Sequence, residues 1–198
     1  MSDPFVTKNI LKWYDLNKRS LPWRKNVSKE KRQYNTLISE FMLQQTQVAT
    51  VIPYFNKFVK EIPNIKKLAS VDNKKLIKLW EGLGYYSRAR NLKKAAQSVI
   101  KNFNGVIPDN FDDLKSLSGI GDYTANAILA IAFNKPYIPL DGNVERIIKR
   151  YLYLKKEKEI QKENLIEKKS ILGFSNRSSD YAQALMEFGA LVCKPTNP

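Results

Sequence analysis

Histidine is absent from the 198 residues, and cysteine occurs once, as Cys193. The absence of histidine excludes Ser–His and Cys–His nucleophile pairs and the commonest zinc ligand. A single cysteine excludes an internal disulfide. Any enzyme with this composition must therefore rely mainly on carboxylates, lysine, tyrosine, amides or a cofactor.

Long apolar runs are also missing. No window approaches the roughly 20 apolar residues that a membrane span requires, and residues 1–5 lack the basic and then apolar layout of a secretory signal. We therefore expect an intracellular protein that does not enter a membrane. The hydrophobic content of 43% is enough to bury one full core, or two small lobes that share a cleft.

Acidic residues are few relative to basic ones. The 34 lysines and arginines outnumber the 19 aspartates and glutamates, which gives a formal net charge of +15. This balance favours a polyanionic partner, with nucleic acid as the leading candidate. The alternative is a lysine-rich surface with no binding role. Net charge limits the possible partners but does not specify a fold. The lysine-rich run 155–169 is interpreted in that second way, as a solvated helix face.

Strand signals are scarce, because apolar residues recur at three and four positions and no stretch alternates with period two over a strand's length. The sequence thus predicts an all-α protein. The predicted helices cover residues 5–16, 34–43, 48–59, 65–68, 73–80, 87–102, 111–117, 122–133, 144–152, 160–171 and 179–193.

Two glycines separated by one apolar residue, Gly119 and Gly121, lie between two predicted helices in the segment Leu117 to Thr124. Such a turn allows the backbone to approach a phosphate closely, and the start of the next helix presents partial positive charge to it. The turn therefore predicts an anchor for a nucleic-acid backbone. An ordinary helix–helix turn is the alternative on this motif alone.

A carboxylate, Asp141, follows the hairpin by about twenty residues and precedes a basic helix that contains Arg146, Lys149 and Arg150. A Leu-x-Gly-Ile-Gly hairpin followed by this aspartate resembles the helix-hairpin-helix DNA glycosylase superfamily. In that superfamily the aspartate stabilises the sugar cation that forms as the glycosidic bond breaks. Further blocks resemble the MutY family of adenine DNA glycosylases: LPWR at 21–24, SEFMLQQTQV at 39–48, GLGYYSRARN at 82–91 and FGALVC at 188–193.

The resemblance implies a two-lobed helix-hairpin-helix glycosylase fold with the active site in the cleft between the lobes. The chain is then a single catalytic domain. Lobe A covers about 25–132 and includes the hairpin 111–132, whereas lobe B combines 1–24 with 133–198. The family's C-terminal domain that reads 8-oxoguanine is absent from these residues.

Glu40 is the candidate general acid. It is surrounded by apolar residues that include Leu37, Phe41 and Met42, and a carboxyl group in such surroundings resists ionisation and can hold a proton. The alternative is a surface glutamate on the polar stripe of an amphipathic helix. By resemblance, Glu40 protonates the adenine leaving group at a ring nitrogen, and Asp141 balances the positive charge that develops on the deoxyribose.

Other site residues are assigned by resemblance alone. Tyr123 and Asn143 match positions that line the same pocket. The positions that contact the extruded adenine or the oxidised guanine opposite it are matched by Leu43, Gln45, Thr46 and Gln183. The alternatives are that Tyr123 caps the hairpin, that Asn143 caps the next helix, and that Gln183 is an exposed helical residue.

Tyr123 also indicates a monofunctional enzyme. Relatives that resemble endonuclease III place a Schiff-base lysine at this hairpin position, and without that amine the expected products are a free base and an abasic site.

The pair Tyr85–Tyr86 follows two glycines and suits a wedge that fills the gap left by an extruded base, with Tyr85 favoured by family position. Core packing is the alternative. Candidate phosphate or opposite-base contacts form a basic patch: Arg24, Arg88, Arg90 and Lys93.

The family holds a [4Fe–4S] cluster with four cysteines, and this chain has only Cys193. One thiolate cannot hold such a cluster, so we expect that this chain alone does not bind it. The expected substrate is double-stranded DNA with adenine opposite 8-oxoguanine or guanine, and the expected state is a monomer. Two alternatives stay open: a helix-hairpin-helix glycosylase for damaged or mismatched pyrimidines, for which Glu40 is the discriminating residue, and a DNA-binding remnant without turnover.

Overall fold

The structure is a computed structural model that describes residues 4–154, 165 and 169–197. Within these residues it is helical and contains no strand, which confirms the prediction of an all-α protein. Short 3-10 turns cover Pro22–Arg24 and Lys169–Leu172. The α-helices are α1 (Pro4–Asn17), α2 (Lys29–Leu43), α3 (Val48–Glu61), α4 (Ile65–Ser70), α5 (Asn73–Trp80), α6 (Ser87–Asn102), α7 (Phe111–Ser116), α8 (Asp122–Phe133), α9 (Gly142–Tyr151) and α10 (Ser178–Leu191).

The chain forms two compact units. The hairpin unit is Ser20–Ile128, and the terminal unit consists of the described residues of Met1–Arg19 and Leu129–Pro198. The boundary falls inside α8, which therefore contributes its first turns to one unit and its last turn to the other. None of the helices that the structure describes has the length and apolar character required to span a membrane.

Helix α2 is the central element of the hairpin unit. All ten residues of 33–42 are buried, so this helix is covered on every side and not only along one stripe. Its start is fixed by Ser28, whose side-chain hydroxyl accepts a hydrogen bond from the backbone N–H of Lys31 at 3.3 Å. Helix α2 thus begins five residues before the predicted Tyr34 because the serine cap extends it through a polar first turn.

The hairpin itself consists of α7, the turn Leu117–Gly121 and the first part of α8. Gly119 has φ +81°, and a Cβ there would lie 2.8 Å from the Cβ of Asn91 and 2.9 Å from the Cε1 of Phe41. Only glycine fits that conformation and that space. Gly119 therefore allows the turn to pack on α2 and α6, whereas a Cβ at Gly121 would meet nothing within 4 Å.

The core of the terminal unit gathers apolar residues from α1, α9, α10 and the segments that precede them. Tyr14 of α1, Ile148 of α9 and Leu185 of α10 are all buried in it. The phenol of Tyr181 donates a hydrogen bond to the carbonyl oxygen of Leu172. The predicted helix over 160–171 lies mostly outside the described residues, as does most of the lysine-rich run 155–169.

Candidate functional site

Glu40 is a buried carboxyl group on α2. Its side chain is only 5% exposed, and Leu37 and Phe41 on the same helix are fully buried. The alternative of a surface glutamate on a polar stripe is therefore wrong, because α2 has no solvent-facing stripe at this level. A buried carboxyl group favours its neutral, protonated form, which is the form a general acid requires.

Helix α2 ends close to three of the predicted base contacts. Leu43 is its last residue and is half-buried, whereas Gln45 is exposed and Thr46 half-buried. Gln45 has φ 55°, in the left-handed region that a non-glycine residue seldom adopts. The preceding residue, Gln44, directs its side-chain amide to the carbonyl oxygen of Gly119 at 3.4 Å. This contact joins the end of α2 to the hairpin turn.

Tyr85 lies in the turn between α5 and α6. Its side chain is 61% exposed, so core packing is excluded for this residue, and its backbone φ is 47°. Tyr86 is less exposed, at 37%. A large aromatic side chain held outward on a constrained backbone has the form expected of a wedge between bases.

Arg88 does not lie on the basic surface where the sequence places it. Its side chain is buried, and its guanidinium donates to the carbonyl oxygens of Phe41, Met42 and Gln44 at the end of α2. It also donates to the carbonyl oxygens of two residues in the turn before α6, Leu83 and Gly84. Burial lowers the pKa of this guanidinium, and the nearby Tyr85 raises it. In this structure Arg88 therefore connects two loops of the hairpin unit.

The other members of the predicted basic patch have different surroundings. Arg24 ends the 3-10 turn Pro22–Arg24 and is half-buried. Arg90 is exposed on α6, and the ammonium group of Lys93, three residues further, donates to the side chain of Asn73 at 2.6 Å. Tyr123 is the second residue of α8 and is half-buried beside the hairpin turn.

Asp141 is the N-cap of α9 in the terminal unit. Its Oδ1 accepts a hydrogen bond from the backbone N–H of Val144, and its Oδ2 accepts one from the side-chain amide of Asn143, each at 2.8 Å. Desolvation by burial raises the pKa of Asp141, and these two hydrogen bonds and the charge of Arg146 oppose the rise. The helix cap suggested for Asn143 is thus provided by Asp141, and Asn143 holds the carboxylate in place.

Arg146 extends this arrangement to α10 and the residues after it. Its guanidinium donates to the Oδ1 of Asn143 at 2.8 Å, to the carbonyl oxygen of Gly189 at 2.6 Å and to that of Cys193 at 2.6 Å. A continuous series of hydrogen bonds therefore runs from the carboxylate of Asp141 to the backbone at Cys193. The sequence showed only that Arg146 lies in a basic helix.

Gly189 is required for this contact between α9 and α10. A Cβ at this position would lie 2.5 Å from the Cβ of Asn143 and 2.9 Å from its carbonyl oxygen. No side chain fits in that space. Gly189 was not predicted as a site residue, although the block at 188–193 contains it.

Gln183 is 8% exposed, so the alternative of an exposed helical residue is wrong. Its amide donates to the carbonyl oxygen of Ser179 at 3.0 Å within α10. Cys193 is half-buried and in no disulfide, and its sulfur accepts a hydrogen bond from Arg150 at 3.2 Å. A four-cysteine cluster does not fit these residues, since the 198 residues offer one thiolate.

The structure brings together two groups of predicted residues, one in each unit. In the hairpin unit the end of α2, the turn at Tyr85 and the hairpin turn are joined through Arg88 and Gln44. In the terminal unit Asp141 and Asn143 are joined, and Arg146 links them to Cys193.

Comparison with known proteins gives these two groups a context. Curated adenine DNA glycosylases are similar to this chain: that of Buchnera aphidicola subsp. Baizongia pistaciae is 42% identical over 195 residues, and that of Homo sapiens 40% identical over 201 residues. Each match covers 96% of this chain, but the chain spans only 54% and 36% of these two relatives.

Solved structures share the fold. A thermostable thymine-DNA glycosylase superposes with a TM-score of 0.82 at 25% identity, covering 98% of this chain and 88% of that one. Endonuclease III trapped covalently on DNA gives a TM-score of 0.77 at 22% identity, covering 98% and 87%. The family model of HhH-GPD superfamily base excision DNA repair proteins matches residues 38–172. The chain therefore belongs to the helix-hairpin-helix superfamily of base excision DNA repair proteins.

Proposed function

We propose that this chain acts as an adenine DNA glycosylase, which hydrolyses the bond between deoxyribose and an adenine opposite 8-oxoguanine or guanine. The observation that carries the proposal is its identity of 40–43% to curated adenine DNA glycosylases over nearly its whole length. The solved thymine-DNA glycosylase, at 25% identity, is less similar in sequence. The buried Glu40 supports the same assignment, because it supplies an acid for a basic purine nitrogen.

DNA binding follows from charge and from the hairpin. The net charge of +15 provides a general attraction to phosphates. The start of α8 presents the partial positive charge of the helix dipole, and Gly121 offers open space beside the backbone. A phosphate oxygen can approach the backbone at this helix end and benefit from the dipole. Such a contact positions the duplex without reading its sequence.

Glu40 performs the acid step in the proposed reaction. Its proton passes to a ring nitrogen of the extruded adenine, and the electron pair of the glycosidic bond then leaves with the base. Positive charge remains on the deoxyribose. The burial of Glu40 favours the form of its carboxyl group that carries the proton.

Asp141 stabilises the resulting sugar cation. Both of its oxygens accept hydrogen bonds, from Val144 and Asn143, so the carboxylate is held in one orientation before the charge develops. A preorganised anion of this kind lowers the barrier without reorganisation during the reaction. Water then attacks the anomeric carbon, loses a proton and leaves an abasic site.

The reaction stops at base release in this proposal. Tyr123 occupies the first turn of α8, where a phenol cannot form an imine with the sugar. Strand cleavage should therefore appear only after alkali opens the abasic site.

The proposed function is tested with three duplexes, which contain adenine opposite 8-oxoguanine, adenine opposite guanine and thymine opposite guanine. Products are separated on denaturing gels with and without alkali. We expect alkali-dependent cleavage of the two adenine duplexes and no cleavage of the thymine duplex. Cleavage of the thymine duplex alone would overturn the adenine assignment. Binding without release of any base would identify a DNA-binding protein without turnover.

A further inference from the structure

We propose that Arg88 is a positioning residue that holds the two exposed side chains Gln45 and Tyr85 in a fixed arrangement before DNA binds. Their role on DNA rests on the proposed function. The connection between their loops rests only on contacts within the hairpin unit.

The two terminal nitrogens of Arg88 bind different segments of the chain. One nitrogen, Nη1, donates to the end of α2, at Met42 with a distance of 2.9 Å and also at Gln44. The other, Nη2, donates to Leu83 at 3.0 Å and Gly84 at 3.2 Å. One planar group thus fixes two loops that are about forty residues apart in sequence.

The second observation concerns which carbonyl groups are held. Gln44 immediately precedes Gln45, and Gly84 immediately precedes Tyr85, so Arg88 binds the peptide group before each exposed residue. Both exposed residues have positive φ, 55° for Gln45 and 47° for Tyr85. Non-glycine residues adopt this conformation at an energetic cost, and it persists where surrounding contacts enforce it.

The third observation is the setting of the guanidinium. Arg88 is only 6% exposed, and within the part of the chain that the structure describes it forms no ion pair. Its charge is balanced by carbonyl oxygens, including those at the C-terminal end of α2, and by the rings of Trp80 and Tyr85 at 5.7 Å and 5.4 Å. A buried cation is costly to desolvate, and the hydrogen bonds of Arg88 go to backbone carbonyl oxygens of two separate segments, which favours a positioning role.

The variant Arg88→Lys tests this role because it keeps the positive charge and removes the planar guanidinium group with its two terminal nitrogens. A lysine has one ammonium group, which cannot occupy the positions of both terminal nitrogens. We expect hydrogen exchange of the free protein to accelerate about tenfold in both segments, 43–47 and 82–86, since a lost hydrogen bond to a charged group is of that order. Exchange in α8 should stay unchanged. Arg32→Lys, the same change at an exposed position near the start of α2, is the matched control and should alter neither segment.

A second variant keeps the test decisive if Arg88→Lys does not fold. Gly84 has φ +70° and open space around it, so Gly84→Ala strains the turn before Tyr85 without a steric clash. We expect faster exchange in the distant segment 43–47 as well, because Arg88 transmits the change. Two results for Gly84→Ala would overturn the proposal. One is faster hydrogen exchange in 82–86 alone, and the other is an increase of the same size in α8 as in 43–47.

The consequence for DNA is measured separately, by the fluorescence of 2-aminopurine placed opposite guanine. We expect Arg88→Lys to reduce the fluorescence increase on binding about tenfold at equal protein concentration, whereas Arg32→Lys should match the wild type. If Arg88→Lys gives the same fluorescence increase as the wild type, the positioning role of Arg88 on DNA is overturned. A wild-type protein that binds this duplex without any increase would contradict the proposed function, while the exchange result would still decide whether Arg88 holds the two loops.

Discussion

Replacing Gly189 by alanine is expected to disturb the contact between α9 and α10 that holds Asn143. The added Cβ would lie 2.5 Å from the Cβ of Asn143 and 2.9 Å from its carbonyl oxygen. Neither obstacle can rotate away, because one is the first side-chain atom and the other is backbone. Overpacking costs about 1–3 kcal/mol, and two contacts under 3 Å with atoms that cannot move place this site in the upper part of the range, at about 2–3 kcal/mol. Alanine offsets about 0.5–1 kcal/mol of this through its better helix propensity. The net loss of about 1–2.5 kcal/mol corresponds to a Tm lowered by about 2–10 °C in a chain of this size.

Thermal unfolding followed by circular dichroism measures this loss, with Gly142→Ala as the matched control. Gly142 is the first residue of α9, and a Cβ there would meet nothing within 4 Å, so its Tm should stay within about 2 °C of wild type. Gly189→Ala should also slow base release, since Arg146 binds both the carbonyl oxygen of Gly189 and Asn143. An unchanged Tm for Gly189→Ala, or an equal loss in Gly142→Ala, would refute the steric reasoning.

Three further predictions concern single residues. Burial raises the pKa of Asp141 above its ordinary value of 3.8. The protonated carboxyl group therefore stabilises the folded protein below pH 3.8, and this contribution is lost as the pH rises through the raised pKa of the folded state. Asp141→Asn should therefore abolish base release yet melt higher than wild type near neutral pH, with a gap that closes toward about pH 4 in a series of thermal melts. Gly119→Ala should lower the Tm more than Gly121→Ala, because only the first adds a Cβ within 3 Å of neighbouring atoms; equal values would contradict the account of the turn. Tyr123→Lys should allow borohydride to trap the protein on an abasic-site duplex, and the absence of a trapped species would contradict the proposed position of Tyr123 beside the sugar.

The hairpin and its helices could be predicted because their signals are local. Two glycines between apolar segments define the turn, and α8 has the bounds expected from the sequence. The buried surroundings of Glu40 could be inferred in the same way, from apolar neighbours in the same helix. The start of α2 could also have been found, since a serine at position 28 before a polar turn is a cap signal.

The role of Arg88 could not be predicted from local signals. An arginine in a charged segment is normally predicted to lie on the surface. The burial of Arg88 depends instead on carbonyl groups of a helix end about forty residues away in the sequence. The requirement for Gly189 depends in the same way on Asn143, which lies on another helix. An exposed position stayed open as the alternative for Gln183 because helix periodicity alone does not show which face the next layer covers. These features arise from tertiary packing and not from sequence neighbours.

The central claim is that the buried carboxyl group of Glu40 supplies the proton for base release, and single-turnover kinetics of Glu40→Gln tests it most directly. The control is Glu30→Gln, a change of the same kind at an exposed position on the same helix. On a duplex with adenine opposite 8-oxoguanine, we expect Glu40→Gln to slow release by about 100- to 10,000-fold, the usual contribution of general acid catalysis. DNA binding should stay near the wild-type value, and Glu30→Gln should release adenine at the wild-type rate. Release by Glu40→Gln at the wild-type rate would contradict the acid role.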